Sequence, residues 1–346
     1  MLSALSQKLK RCWGYKVVRA VGLVANPASG KDIRRLAGKA SVFDNREKLA
    51  IVRRAVLGAI AAGATRFIYM SDSHGIVKQA IAETAIPRGV RFEALPSSGT
   101  ASAMDTIVAA EQMAQKNCAV VLVLGGDGTN RAFARGWRDA TLVSLSTGTN
   151  NVFPVMAEAT VAGMALGLIA SGKVKGHAVS SQAKLIDVEI EGEGQDIALI
   201  DAVITRDAFI GAKALLDPSR LKEALLSRAE PAAVGITSLG GLVRPVSSQD
   251  DFGLHLTFGK DGRELLAPMG PGMFAKVSIS KTRLVKFGKV VRARGPSVIA
   301  LDGERERVVA NGQNIAMQIS RSGPWVVDLA AALQRAAKQK TFLRTI

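Results

Sequence analysis

A chain of 346 residues with 48% apolar content is long enough for two hydrophobic cores and too apolar for a disordered protein. No uninterrupted apolar run reaches bilayer length and no secretory signal pattern opens the chain, so a soluble, cytoplasmic protein is expected. The 46 Lys and Arg against 29 Asp and Glu give a formal +17, a field that attracts phosphorylated molecules; the 5% aromatic content and lack of a reading module set nucleic acid aside.

Met1 to Arg19 carries Lys8, Lys10, Arg11, Lys16 and Arg19 without an acid, and Leu2, Leu5, Leu9 and Trp13 can share a helical face. Packing on its own domain is the favoured reading of that segment, with weak contact to an anionic membrane as the alternative. Cys12 and Cys118 belong to no CxxC or metal-ligand pattern and read as ordinary reduced thiols. Short Val/Ile/Leu runs predict strands at Val21–Ala25, Arg66–Met70, Val90–Leu95, Ala119–Leu124 and Thr141–Leu145. Helix-period segments follow near Glu47–Ala62, Gly75–Thr84, Ala101–Gln115 and Arg131–Trp137, the alternation of a parallel α/β sheet. Loops Asn26–Lys31, Ser71–Gly75, Gly125–Asn130 and Thr147–Asn151 should then line one rim, where open α/β sheets bind ligands.

After a Gly- and Ala-rich helical stretch, Val155–Ser171, the texture changes to period-2 alternation. Ile186, Val188 and Ile190, then Phe252, Leu254, Leu256 and Phe258, then Val277 and Ile279 predict antiparallel sheets with one buried face. A helix is expected after Asp217 and Pro218, with Leu221, Ala224 and Leu225 on its buried face, and Val326–Arg344 reads as a basic-tailed helix. The expected division is an α/β nucleotide-binding domain over 1–154, an all-β substrate domain over 155–330 and a helix over 331–346, in a homo-oligomer.

The sharpest motif is Gly125-Gly126-Asp127-Gly128-Thr129, which follows a buried strand and precedes a helical period. Glycines let backbone amides close on an anion, and a helix N-terminus, capped here by Thr129 or Asn130, adds favourable partial charge. An acid inside a phosphate loop repels a triphosphate unless it binds Mg²⁺ or takes a proton from the attacking hydroxyl, which singles out Asp127. A hairpin turn is the competing reading, disfavoured by the helical period that follows. Asn26-Pro27-Ala28-Ser29-Gly30-Lys31 has donors that suit phosphate without being a Walker A loop, and Thr147-Gly148-Thr149-Asn150-Asn151 can surround a ribose or adenine; taken alone, either loop reads first as an ordinary βα turn. His74, His177 and His255 lack metal-ligand spacing and read as loop or strand histidines. Ser97, Ser98 and Asp105 make no nucleophile pattern.

Together these motifs resemble the superfamily that joins ATP-NAD kinases with diacylglycerol and sphingosine kinases. Gly125 to Thr129 matches its hallmark, Asn26, Pro27, Ser29 and Gly30 match the lipid-kinase first loop, Gly148 to Asn150 match the shared third loop, and Leu301-Asp302-Gly303-Glu304 is similar to the late Asp-Gly-Glu segment. The stretch Ala25 to Arg35, with Arg206, Gly211 and Ala212, resembles most closely the bacterial acetoin catabolism protein X subgroup. The resemblance implies a Rossmann-like α/β domain followed by a β-sandwich, with the active site between them. It implies ATP and Mg²⁺ as cofactors, Asp127 as general base or metal-linked carboxylate, and phosphate contacts from Asn26, Ser29, Gly30, Gly125, Gly126, Gly128, Thr129, Gly148, Thr149 and Asn150. Asn151, Asp201, Asp302 and Glu304 would face the acceptor, NAD or a related small phosphorylated or polar molecule. Ile200 and Asp201 stand where NAD kinases carry an Asn-Glu pair, and Gly235 to Gly241 is a weak counterpart of their later Thr-Pro-Thr-Gly-Ser segment. A lipid kinase and a non-catalytic nucleotide-binding regulator are therefore the alternatives.

Overall fold

The computed structural model describes residues 19–30, 44–96, 100, 102–148, 150–207 and 217–343, with only the backbone for 304–306. The expectations for Cys12, Lys31–Arg35, Ser97, Ser98, Thr149, Gly211, Ala212 and Arg344, and for most of Met1–Arg19, fall outside these residues.

The first half alternates strands β1 (Val21–Ala25), β2 (Arg66–Met70), β3 (Arg91–Leu95), β4 (Val120–Leu124) and β5 (Thr141–Leu145) with helices α1 (Asn45–Ala61), α2 (Ile76–Ala82), α3 (Ala103–Gln115) and α4 (Asp127–Gly136). β1, β4 and β5 are buried throughout, as continuous apolar runs require in a parallel sheet covered by helices on both faces. The strands lie in the order β3-β2-β1-β4-β5, all parallel. The order reverses between β1 and β4, so the loops leaving those two strands diverge and open a crevice at their carboxyl ends. Helix α5 (Ala159–Ala170) packs along α1, where Gly58, Gly163 and Gly167 bring the backbones together: an added Cβ would strike the carbonyl oxygens of Thr160, Ala55 and Ala59.

The second half supplies strands β6 (Ser180–Gln182), β7 (Leu185–Ile190), β8 (Gly194–Ala198), β9 (Asp201–Thr205), β10 (Leu221–Leu226), β11 (Phe252–Gly270) and β12 (Met273–Lys286). Strands β13 (Val290–Arg294), β14 (Ser297–Leu301), β15 (Glu304–Val309), β16 (Asn314–Ser320) and β17 (Trp325–Val327) follow, with α6 (Ile236–Val243) and α7 (Leu329–Lys338) as the helices. Six strands in the order β12-β11-β10-β9-β14-β15 face four in the order β13-β16-β7-β8. Ile204, Leu225 and Ile299 of the larger sheet meet Ile186, Val188, Ile315 and Met317 of the smaller in one core. The other face of the larger sheet is covered by α6 through Leu239.

Three expectations are corrected. The helix expected after Asp217 is a single 3-10 turn, Pro218–Arg220, followed by strand β10. Leu225 faces the sandwich core while Leu221, Ala224 and Leu226 face α6, and burial on both faces imitates a helical period over six residues. The C-terminal helix begins at Leu329, capped by the Asp328 carboxylate, because Trp325–Val327 joins the first sheet between β5 and β6. Helix α4 begins at Asp127 instead of Arg131, with Gly126 as its N-cap, so Thr129 and Asn130 lie inside its first turn.

Candidate active site

The crevice between the α/β sheet and the sandwich collects the β1 loop, the start of α4, the β5 loop and two segments of the sandwich domain. Asn26, Ser29 and Gly30 line it with Gly126, Asp127, Gly128 and Thr129; Asn150 and Asn151 close one side, and Asp201 and Asp302 the other. Gly125 and Gly148 do not line the cleft; Gly125 sits behind it, where an added Cβ would meet the Thr129 side chain at 2.6 Å. Thr149 is outside the described residues, and Glu304 opens β15 with only its backbone described. Val152, Val203, Val234, Ile236, Thr237 and Met269 complete the wall. Of these, only Ile236 and Thr237 belong to a segment that the sequence pattern singled out.

Starting the helix at Asp127 turns the glycine motif into its first turn, which leaves the early N–H groups without intrahelical partners where Gly126 to Thr129 line the cleft. Gly126 has an extended backbone, φ −92 and ψ −170, so its requirement for glycine comes from close approach: an added Cβ would lie 2.8 Å from Asn151 Oδ1. Asn26 Nδ2 donates to Thr129 Oγ1 at 2.9 Å and ties the β1 loop to this turn. Asn151 Nδ2 donates to Ser146 Oγ at 2.8 Å, which fixes the β5 loop on the opposite side.

The Asp127 carboxylate accepts the N–H of Val152 on both oxygens at 3.1 Å and that of Phe153 at 2.7 Å. Loss of water pushes its pKa up to about 7, and the Asp302 charge adds to that, while the two N–H groups and Arg228 oppose it. Arg228 was not apparent from sequence: its guanidinium lies 5.5 Å from the Phe153 ring centre and reaches the Val152 carbonyl at 3.4 Å. Asp302, at φ +53 in the turn after β14, accepts N–H bonds from Leu199, Ile200 and Asp201 at 2.9, 2.8 and 3.2 Å. Burial raises its affinity for a proton, and Arg131, 3.7 Å away, opposes the rise. Asp302 thus shapes the turn that carries Asp201 into the cleft, whereas the Ile200 side chain is buried among Ala134, Phe153 and Leu185.

A second hollow of ≈ 420 Å³ shares Asn26, Gly128 and Thr129 with the cleft and runs toward Met70, Asp72 and Thr106. Outside both, His255 pairs with Glu223 at 2.9 Å and His177 packs edge-on against Trp325. Burial pushes the Cys118 thiol up to about 12. Among the described residues no helix is long and apolar enough to cross a membrane.

A parallel sheet with its crevice at the β1/β4 reversal, a Gly-Gly-Asp-Gly-Thr helix start and an antiparallel sandwich closing the opposite wall define a protein of ATP-NAD kinase architecture. The model of the ATP-NAD kinase N-terminal domain matches residues 21–174, and that of the acetoin catabolism protein X C-terminal domain matches 184–322. Acetoin catabolism protein X of Cupriavidus necator is 33% identical over 342 residues, covering 93% of this chain and 94% of its own. The chain belongs to the acetoin catabolism protein X family. Yeast NADH kinase, solved with NADH, shares the fold at a TM-score of 0.52 and 12% identity, over 96% of this chain and 90% of its own. An NAD kinase from Archaeoglobus fulgidus, solved with ATP, aligns at a TM-score of 0.42 and 12% identity, over 81% of this chain and 99% of its own.

Proposed function

We propose that the cleft transfers the γ-phosphoryl group of ATP to a hydroxyl of NAD or a related small polar acceptor, in a step linked to acetoin catabolism. The observation that carries this reading is Asp127: a carboxylate whose pKa is raised to about 7 by burial, pinned in the first turn of a helix that opens on the cleft. The N–H groups of the first α4 turn, with Asn26, Ser29, Gly30 and Asn150, hold the phosphates, and the adjoining hollow has room for the nucleoside. Asp127 takes the proton from the acceptor hydroxyl as its oxygen bonds to the γ-phosphorus; the bond to the bridging oxygen breaks and ADP leaves.

Among the described residues no three His, Cys, Asp or Glu side chains group to hold a metal ion. Magnesium would enter this site with the nucleotide phosphates, Asp127 would be the cleft acid on the phosphate side to hold it, and it would supply charge neutralisation there. Asn151 and Asp201, with Glu304 on the strand after Asp302, form the acceptor side, and the buried Asp302 carboxylate holds the turn that carries Asp201. The apolar wall of Val203, Val234, Ile236 and Met269 favours a second reading, an acceptor with a lipid-like portion.

Incubation with Mg-ATP and NAD, diacylglycerol or small polyols, with detection of the phosphorylated product, tests the reading. Transfer to none of them, with no binding of ATP, leaves it without support. Asp201→Ala should weaken acceptor binding by at least about tenfold and leave ATP affinity unchanged, since a lost hydrogen bond at a charged group costs about 1.5–3 kcal/mol. An unchanged acceptor affinity in a binding titration removes Asp201 from the site.

A further inference from the structure

Lys48 lies in the first turn of α1, is 0% exposed, and no motif draws attention to it. A buried ammonium is costly unless oxygen atoms replace its water. Here its Nζ reaches the carbonyls of Asn26, Pro27 and Ser29 at 3.0, 2.9 and 2.7 Å and Asn45 Oδ1 at 3.2 Å. Three of these four oxygens belong to the β1 loop, whose other side lines the cleft. We propose that Lys48 is a positioning residue for nucleotide phosphate, its ammonium gathering the β1-loop carbonyls inward so that the opposite face of the loop presents donors and positive potential to the cleft.

The geometry of the trans peptide supports this directly. A peptide's C=O and N–H point in opposite directions, so the Ser29 carbonyl turned onto Lys48 sends the Gly30 N–H the other way. Gly30 takes φ +77, a left-handed conformation that glycine adopts freely, and lines the cleft. The Pro27 carbonyl likewise turns the Ala28 N–H away, where Asn26 Oδ1 accepts it at 2.9 Å. The same Asn26 side chain bonds Thr129, so the ammonium's hold on the loop passes to the first turn of α4. The inference rests on the cleft being an ATP site.

The test compares wild type with Lys48→Met, Lys48→Gln and Val52→Ala by calorimetry with Mg-ATP and with adenosine, and by amide exchange over residues 26–30. Val52 is buried one turn along α1 and controls for general loosening of that helix. Both Lys48 variants should exchange faster at Ala28 to Gly30 and bind Mg-ATP at least about tenfold more weakly, with adenosine affinity held within about twofold. Val52→Ala should lower the melting temperature without either effect. Lys48→Gln, whose side chain is uncharged and ends one atom short of the ammonium position, serves if Lys48→Met does not fold. Unchanged exchange in Lys48→Gln, or equal losses for ATP and adenosine, overturns the proposal. A wild type that binds no ATP overturns the kinase reading instead, and the exchange comparison still judges the hold of Lys48 on the loop.

Discussion

Asp127 carries the sharpest chemistry because two demands meet on it. Its ordinary value is 3.8, and in the fold burial lifts it to about 7. Between those values the folded state binds more protons than the unfolded chain, so this group costs stability as pH rises from about 4 to about 7, and the loss is complete above that window. Asp127→Asn should flatten this slope, gaining on wild type at pH 8 relative to pH 5 in thermal melts; parallel melting curves at the two pH values would contradict the burial argument. In the proposed reaction Asp127 is the base and must be ionised, so phosphoryl transfer should rise with pH toward a plateau above about 7. Asp127→Asn should remove more than nine-tenths of turnover, a barrier increase of over about 1.4 kcal/mol. A variant that keeps wild-type turnover would take Asp127 out of the chemistry.

The start of α4 shows how an element can be hidden by its composition. Gly126, Asp127 and Gly128 are poor helix formers, so the local pattern places the boundary late, at Arg131. The Asn130 side chain supplies the missing stability: its Nδ2 donates to the Gly126 carbonyl at the helix N-cap, and its Oδ1 accepts from Ser144 Oγ on β5, a tertiary contact. Gly126→Val should abolish Mg-ATP binding in a folded protein, because its Cβ would press on Asn151 and its γ-methyl groups would enter the anion site. Calorimetry with unaltered affinity would move the phosphates elsewhere. β17 makes the complementary point. Its Trp-Val-Val has strand character, but what completes the first sheet is a slot between β5 and β6, and both of those strands lie far back along the chain.

The two halves are joined by buried charge. Arg131, one turn into α4, lies 3.6 Å from Asp196 on β8 and 3.7 Å from Asp302, with all three side chains nearly inaccessible. Arg135 adds a contact to Asp196 at 3.3 Å. Removing one partner from such a group strands the others, so Arg131→Met should destabilise the protein by about 3–5 kcal/mol. Arg138→Ala, which breaks the exposed pair with Asp187, should cost no more than about 1 kcal/mol. Denaturant titration of the two variants distinguishes them, and equal losses would show that burial does not set the strength of the interdomain charges. The same contacts orient Asp302, and through it the turn that brings Asp201 into the cleft with Asp127.

The parallel strands, the period-2 strands and the glycine-rich loop after β4 were legible from the chain because each is encoded locally, in side-chain period and in glycines that must sit at fixed spacing. So were Asn26, Asp127 and Thr129, which the fold brings together in one cleft. Arg228 and Lys48 were not, since an isolated basic residue has no period and its role depends on which carbonyls and rings the fold brings to it. β10 and β17 were misread for the same reason: burial on both faces, or a partner strand far away in the chain, leaves no local mark. Sequence alone singled out the loops and the acid that the proposed reaction uses; the packing of the sandwich against the α/β sheet decided which acids share their cleft, because burial and proximity, not residue identity, set the proton affinity of Asp127 and the placement of Asp201.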